Sequence, residues 1–380
     1  MALPTAPDPV SPLARYRILS PTANLRVSPL CLGAMNFGTA WEQFMGKCDK
    51  ETTFGILDYF FDNGGNFIDT SNNYQNEESE TWIGEWMKKR NNRDQMVIAT
   101  KFTSPWQAHK GWDKHINANF VGSGTKSLRM SVRDSLKKLG TDYIDILYVH
   151  WYDHTSSVQE LMLSLNDLLR EGKVLYLGAS DLPAYFVAKC NQYARDHGLR
   201  GFVVYQGKWS AADRDFERDI LHLVKEDGMA LAPWGALGGG LFKTHAKREE
   251  MKKNDEQGRI AIMENAKAGP VSDALEKIAA KKNGKPDITS IALAYVMHKA
   301  PCVFPIVGGR KIDHLKGNIE ALKIDLSTEE IDEIDGAVEF DLGFPWSAFG
   351  THPNQSFLLN MAVHTDYVDQ VVPIHPSKSK

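Results

Sequence analysis

The stretch Asn66-Phe67-Ile68-Asp69-Thr70-Ser71-Asn72-Asn73-Tyr74 (NFIDTSNNY, 66–74) decides how this chain folds. The residues before it, Asn63-Gly64-Gly65, form a turn signal, so Phe67 and Ile68 read as the end of a short buried strand. Asp69 stands where that apolar run stops, and Tyr74 follows in a polar loop. Two later runs end the same way: 96–100 stops at Lys101, and YIDILYVH (143–150) stops at His150. An acid, a phenol, an amine and an imidazole thus follow three strand-like runs. Parallel strands would bring them to one mouth.

Outward from this stretch the pattern alternates. Strands are expected at 30–35, 66–70, 96–102, 143–150, 174–180, 202–209, 229–237 and 303–308. Helical patterns fall at about 51–63, 76–90, 123–139, 156–171, 183–197, 215–227, 271–300 (in two pieces) and 311–323. RYRIL (15–19) and LRVSPL (25–30) read as a hairpin ahead of them. Eight strand-helix units imply an α/β fold, a (β/α)8 TIM barrel with an N-terminal β-hairpin. Right-handed crossovers leave few other topologies. An open doubly wound sheet is the competitor, but the chain has no G-x-G-x-x-G turn and no Walker A sequence.

Length and composition fit this reading. The 380 residues suffice for one large barrel, and a net charge of −4 gives no footprint for nucleic acid or an anionic membrane. Four scattered cysteines without a C-x-x-C pair suit a reducing compartment and speak against a disulfide framework or structural zinc. No apolar run is long enough to span a bilayer, so a soluble, cytoplasmic protein is expected. Residues 1–13 read as a loose arm, 14–340 as the barrel and 341–380 as a tail expected to fold over the barrel mouth. The stretches 104–124 and 241–270 exceed ordinary connections and follow strands, which puts them at the C-terminal face.

Barrel active sites lie at the C-terminal strand ends. Polar or glycine residues stand at nearly all of these ends. They are Gly33-Ala34-Met35, Asp69 with Tyr74, Lys101, His150-Trp151, Ser180-Asp181, Gln206, Trp234-Gly235 and Gly308-Gly309-Arg310. Singly, each has a bland reading: a solvated lysine cap, a core histidine, an aspartate capping its own turn. Together they suit proton transfer to a carbonyl oxygen. A phenol titrates near 10, a neighbouring ammonium favours its ionised form, and a buried ammonium needs a counter-charge such as Asp69. His150 can donate to the same oxygen. None of the four supplies a reducing equivalent, so a hydride cofactor is implied.

The motifs GNFIDTSNNY, VIATKF, YIDILYVHWYD, LGASD, VYQGKWS and PWGALGGGL make 25–326 resemble the aldo-keto reductase superfamily, within it the fungal aryl-alcohol dehydrogenase and norsolorinic acid reductase branch. The resemblance implies a (β/α)8 barrel, an NADP(H)-dependent oxidoreductase of secondary metabolism and a small carbonyl or alcohol substrate, aromatic in this branch. It makes Tyr74 the proton donor, Lys101 the group lowering its pKa, Asp69 the lysine's partner and His150 the carbonyl-orienting residue. It gives the cofactor Gly33, Ala34, Met35 and Asp69; Ser180, Asp181 and Gln206 for the carboxamide; and Trp234 stacked on the ring. Gly235, Ala236, Leu237 and Gly239 would follow the pyrophosphate, and Gly309, Arg310, His314 and Asn318 the adenosine end with its 2′-phosphate. Met35, Tyr74, Trp106, His150 and Trp151 would line the substrate pocket, with Trp112, Phe120 and the tail's Phe344, Trp346 and Phe349 adding aromatic walls.

The chain departs from the wider pattern in places. Asp181 stands where Asn is common and Trp234 where Tyr is frequent. Gly308-Gly309 replaces a Lys-Ser pair, leaving Arg310 and Lys311 as the cations, so NADP(H) is expected ahead of NAD. Two rivals stand beside this reading. A cofactor-binding regulatory subunit of the same fold would keep the site without turnover. A metal-dependent barrel hydrolase would use His150-x-x-x-His154, but such a pair shares a face only on a helix, and His150 ends a strand, so no metal is expected.

Overall fold

Strand residues two apart face the same side, so each barrel strand feeds two cores. Val97, Ala99, Ile146, Tyr148, Val204, Ala230 and Phe304 pack together inside the barrel, while Ile98, Phe102, Leu147 and Val149 join the outer core under the helices. Both faces are buried throughout Val97–Phe102 and Ile144–Val149, which is why these segments read as continuous apolar runs. Counting in twos from the inner set reaches Asp69, Lys101 and His150.

The computed structural model describes residues 5–111, 113, 115–253, 265–352, 355–364, 366 and 372–377. Trp112 and the 254–264 part of the second long loop lie outside the described residues. Strands β1 (Arg17–Ser20) and β2 (Ala23–Val27) pair antiparallel. Their Leu19, Ala23 and Val27 plug the barrel floor. The barrel strands are β3 (Cys31–Gly33), β4 (Phe67–Asp69), β5 (Val97–Phe102), β6 (Ile144–Val149), β7 (Val174–Ser180), β8 (Phe202–Gln206), β9 (Ala230–Leu231) and β10 (Ile306–Val307). They run parallel in the order β10-β3-β4-β5-β6-β7-β8-β9. Hydrogen bonds from Leu231 N to Cys302 O (3.0 Å), Phe304 N to Leu231 O (2.8 Å) and Ile306 N to Pro233 O (2.9 Å) close the ring.

The last two strands are shorter than the expected 229–237 and 303–308. Pro233 and Pro305 interrupt them, because proline has no N–H to give a ladder. Around the ring lie α1 (Lys50–Asp62), α2 (Glu78–Arg90), α3 (Thr125–Leu139), α4 (Val158–Arg170), α5 (Ala184–Asp196) and α6 (Ile220–Asp227). They continue as α7 (Ala268–Lys281), α8 (Ile288–Lys299), α9 (Ile312–Ala321) and α10 (Thr328–Asp335). Local chemistry sets their ends. Ser157 caps α4 through Glu160 N, and Gly140 ends α3 in a left-handed turn (φ 62°). Leu161, Leu165 and Leu168 then bury one face of α4, each worth about 1.5–3 kcal/mol relative to exposure.

Among the described residues five helices were not expected from the pattern: the one-turn pieces Glu42–Met45, Trp346–Phe349 and Phe357–Asn360, then His245–Lys253, and last α10. Of these α10 carried a readable signal, since Ser327 and Glu330 form a reciprocal capping box. The tail attaches along the outside of the barrel in its described contacts. Trp346 stacks on His222 (centroids 4.2 Å) and donates to Arg218 O, Ile374 O accepts from Arg17, and His375 meets Asp325. No helix among the described residues is long and apolar enough to cross a membrane.

Candidate active site

Asp69, Lys101, Tyr74 and His150 meet at the C-terminal ends of β4, β5 and β6. The parallel register sets Asp69 beside Ala99 and Lys101 beside Tyr148, so their side chains rise from one interior. Lys101 is fully buried, and its Nζ donates to Asp69 Oδ1 and Oδ2 (2.8 and 2.6 Å) and to Thr70 O (2.7 Å). The same Nζ lies 3.4 Å from the Tyr74 hydroxyl. Gln206 Nε2 donates to Asp69 Oδ1 (2.9 Å), which fixes the carboxylate from the far side of the barrel. The ring of Tyr74 stands edge-on to that of His150, with centroids 5.9 Å apart.

Burial and charge oppose each other here. Burial pushes the Tyr74 phenol up, the Lys101 ammonium pulls it down, and the net direction is up. The expectation that lysine lowers this pKa therefore holds for the ammonium's own effect but not for the net, because desolvation of a phenolate costs more. Tyr74 stays a neutral acid at neutral pH. Burial pulls the Lys101 ammonium down, but the Asp69 carboxylate and Tyr74 outweigh it and keep the amine charged. Burial, reinforced by Lys101, holds His150 well below the usual imidazole range, so its ring is neutral.

Two serines that sequence reading passed over complete the site. Ser104 Oγ and Ser71 Oγ lie 3.0 and 3.3 Å from His150 Nδ1. Ser71 also lies 2.9 Å from Asn73 Oδ1, an oxygen that only accepts, so its proton goes there. Trp151 Nε1 donates to Ser104 Oγ (3.2 Å), leaving the Ser104 proton for His150 Nδ1. With Ser104 donating to Nδ1, the imidazole proton sits on Nε2. Only the placement of Ser104 two residues past β5 hinted at this.

Tyr74 is held by an unusual turn. Gln75, Asn76 and Glu77 are all left-handed (φ 53°, 51° and 81°), a conformation costing about 1–3 kcal/mol per non-glycine residue. Gln75, fully buried, donates to Met35 O (3.1 Å) and accepts from Trp41 N (2.7 Å). Trp41 donates from its indole to Asn76 Oδ1 (3.2 Å), and its ring meets Tyr74 edge-on at 6.1 Å. Below, Lys138 bridges Glu77 (3.1 Å) and buried Glu80 (2.7 Å). Trp41 was missed because it lies eight residues past the end of β3 in a stretch with no period.

The candidate cofactor residues fall on neighbouring strand ends. Asp181 is left-handed (φ 51°), its backbone N donates to Gln206 O, and its carboxylate accepts from Trp234 Nε1 (3.2 and 3.3 Å) and from Ser180 Oγ (3.3 Å). Burial, moderated by Trp234 and Ser180, lifts this carboxyl to about 6. Gly33 abuts Ile306, where an added Cβ would come within 2.7 Å of Cγ2, and buried Ala34 donates from its backbone to Asp69 O. Met35 is exposed beside them. Gly235 and Gly239 are left-handed (φ 76° and 60°) and flank buried Ala236 and half-buried Leu237. Gly309 O accepts from Asn36 Nδ2 (2.7 Å), Asn318 is buried on α9, and His314 stands exposed in the first turn of that helix. The Arg310 guanidinium lies against Gly46, where any Cβ would collide with it.

Of the pocket residues, Trp151 is partly exposed beside His150, whereas Trp106 is buried, edge-on to Phe120 and hydrogen-bonded to Asp134. Its indole pins the 104–124 loop to α3. Phe344 points to solvent. His154 packs at a tilt against Tyr152 (centroids 4.4 Å, 48°).

The aldo/keto reductase family profile matches residues 29–339. A norsolorinic acid reductase A of Aspergillus parasiticus is 54% identical over 95% of this chain and 90% of its own length. A putative aryl-alcohol dehydrogenase of Saccharomyces cerevisiae is 52% identical over 91% of this chain and 93% of its own length. An aryl-alcohol dehydrogenase of Pestalotiopsis microspora is 48% identical over 100% of this chain and 98% of its own length. With a closed eight-stranded barrel and these matches across it, the chain belongs to the aldo/keto reductase family and is an oxidoreductase.

Proposed function

We propose that this chain interconverts aldehydes or ketones with alcohols, aromatic ones foremost, using NADP(H) and taking Tyr74 as the proton donor. The observation that carries the reading is the buried Lys101 ammonium set between the Asp69 carboxylate and the Tyr74 hydroxyl. A neutral phenol next to a fixed positive charge can give up its proton as negative charge builds on a carbonyl oxygen, since the ammonium stabilises the phenolate left behind. The Nε2–H of neutral His150 donates to the same oxygen and orients it. Lys101 and Gln206 hold the Asp69 carboxylate in place by hydrogen bonds.

The residues present suit a dinucleotide phosphate. Left-handed Gly235, Gly239 and Gly240 expose backbone N–H groups, nothing lies within 4 Å of a Cβ at Gly240, and Arg310 with the N-terminal turn of α9 offers positive charge. When bound, the nicotinamide supplies the hydride. Trp151 beside His150 and the aryl-alcohol names of two relatives support an aromatic substrate.

A panel of aromatic and short aliphatic aldehydes with NADPH and NADH tests the reading. Aromatic aldehydes and NADPH should give the higher kcat/KM. Arg310→Ala should weaken NADPH by roughly tenfold or more, the scale of a charge-assisted hydrogen bond, and leave NADH nearly unchanged. Equal loss for both cofactors would make Arg310 structural. Cofactor binding without turnover of any aldehyde would favour the regulatory subunit.

Ser104→Ala should lower kcat about five- to tenfold, the worth of one neutral hydrogen bond, with cofactor affinity unmoved. Ser104→Thr should restore it, and 15N shifts of His150 should report loss of the Nε2–H form in the alanine variant alone. An unchanged tautomer in Ser104→Ala would show that Ser104 does not set it.

A further inference from the structure

His298, Asp325 and His375 come from three separate places: the last turn of α8, the turn after α9, and the tail. Their ligating atoms lie within 4.8 Å of one another, and they are the one such group among the described residues. We propose that they bind one zinc-class divalent ion, which fastens the tail to the barrel floor.

The hydrogen-bond directions point to a cation. His298 Nδ1 lies 2.7 Å from Ala294 O, and a carbonyl oxygen only accepts, so Nδ1 carries the proton. Nε2, the nitrogen left free by that bond, faces Asp325 Oδ1, 3.2 Å away. A ring nitrogen this close to a carboxylate oxygen is held there by positive charge, a proton or a metal ion between the two atoms. His375 Nδ1 lies 2.7 Å from the same oxygen, and the two imidazoles stand 5.0 Å apart at 67°. A backbone carbonyl bonded to the remote ring nitrogen is how zinc-binding histidines are commonly oriented.

Size and chemistry fit. Zinc takes nitrogen and carboxylate oxygen at about 2.0–2.2 Å, so neighbouring tetrahedral ligands stand roughly 3.3–3.5 Å apart. The observed 3.2 and 2.7 Å need only a small opening, which the half-exposed Asp325 and His375 permit. The exposed side leaves room for a water as fourth ligand. Two imidazoles with one carboxylate suit zinc, whereas calcium and magnesium take oxygen. Lys282 donates to Asp325 O (2.7 Å), but Glu330 pairs with its charge at 2.6 Å.

Position makes the role structural. The C-terminal end of α8 leads toward the start of β10, so the trio sits on the face opposite the catalytic quartet. Arg17 Nη2, on the floor hairpin, donates to Ile374 O next to His375 (3.5 Å). An ion here would give the tail a second anchor. No spacing motif announces it, because the three residues are scattered through the last quarter of the chain.

The test uses untagged full-length protein stripped with a chelator and held at one pH above the histidine range. Zinc titration by calorimetry should give one ion per chain. Cobalt should give the visible bands of tetrahedral nitrogen-oxygen ligation, and zinc should slow amide exchange in 372–377. His375→Gln, placed on the tail so that the barrel stays folded, should weaken zinc by at least about tenfold and erase the exchange effect. Asp325→Asn should do the same, and carbonyl reduction should be unaffected in both. No stoichiometric uptake, or equal uptake by wild type and both variants, would overturn the site. So would equal tail exchange with zinc and with chelator, which would leave a proton alone bridging the trio.

Discussion

Replacing Tyr74 with phenylalanine is expected to lower carbonyl reduction by roughly 10²–10⁴-fold, the usual contribution of a positioned acid. Binding of NADPH should survive. The variant keeps the ring and its edge-on contacts with Trp41 and His150, and Lys101 keeps Asp69 and Thr70 O as partners. The fold should therefore hold, and only the dissociable proton is lost. In the wild type the phenol is raised above its ordinary range, so reduction should stay level through neutral pH and decline only in the alkaline region where the phenol ionises. Steady-state rates with NADPH and a fluorescence titration of the cofactor check both halves. A variant keeping most of the wild-type kcat would remove Tyr74 from the chemistry.

Lys101→Met should be worse for the protein as a whole. Lys101 is fully buried and Asp69 is 4% exposed, so the variant strands a carboxylate in the barrel with Gln206 Nε2 as its remaining side-chain donor. Breaking one half of such a pair costs about 3–5 kcal/mol, because the surviving charge keeps its desolvation penalty. The denaturation midpoint should drop accordingly, and activity should vanish with the charge beside Tyr74. Adding Asp69→Asn to Lys101→Met removes the stranded charge. That double variant should regain most of the stability and none of the activity. Should Lys101→Met prove as stable and as active as wild type, the pair would be neither a structural clasp nor part of the acid.

How far these residues were legible follows from what period two can carry. Asp69, Lys101 and His150 each end an apolar run, so the sequence alone put them at strand ends, and the inward phase of Phe67, Val97, Ala99 and Tyr148 shows why they converge. Ser180 ends its expected strand in the same way, whereas Gln206 and Trp234 lay inside the expected 202–209 and 229–237, and the structure ends β8 at Gln206 and β9 three residues before Trp234. Ser104 and Trp41 were not, because they lie in irregular loops where no repeat links position to direction. Trp106 was placed correctly in its loop, but composition gave no sign that Asp134 would hold its indole inward. The net pKa of Tyr74 was also beyond sequence, since a neighbouring charge can be read from residue types and the depth of burial cannot. The prolines at 233 and 305 were visible, yet their effect on strand length depended on which hydrogen bonds closed the ring.

The ring's strand order has a further consequence, which concerns modularity. Tyr74 and the three strand-end groups around it belong to β4, β5 and β6 or their loops, all before position 151. Apart from Gly33, Ala34, Met35 and the shared Asp69, the candidate cofactor contacts come from β7 onward, between Ser180 and Asn318. The turn at 171–173, between α4 and β7, divides the two sets without splitting either. On the proposed assignment, proton chemistry and cofactor choice lie on different halves of one polypeptide, joined by the β6–β7 register from Ile144↔Val174 to Val149↔Ala179, by the β10–β3 register at Ile306↔Cys31 and Val307↔Leu32, and by side-chain bonds that include Gln206 to Asp69 and Asn36 to Gly309 O. A recombination at that turn can exchange one half's specificity while leaving the other half's acid intact, provided residue 206 still donates to residue 69.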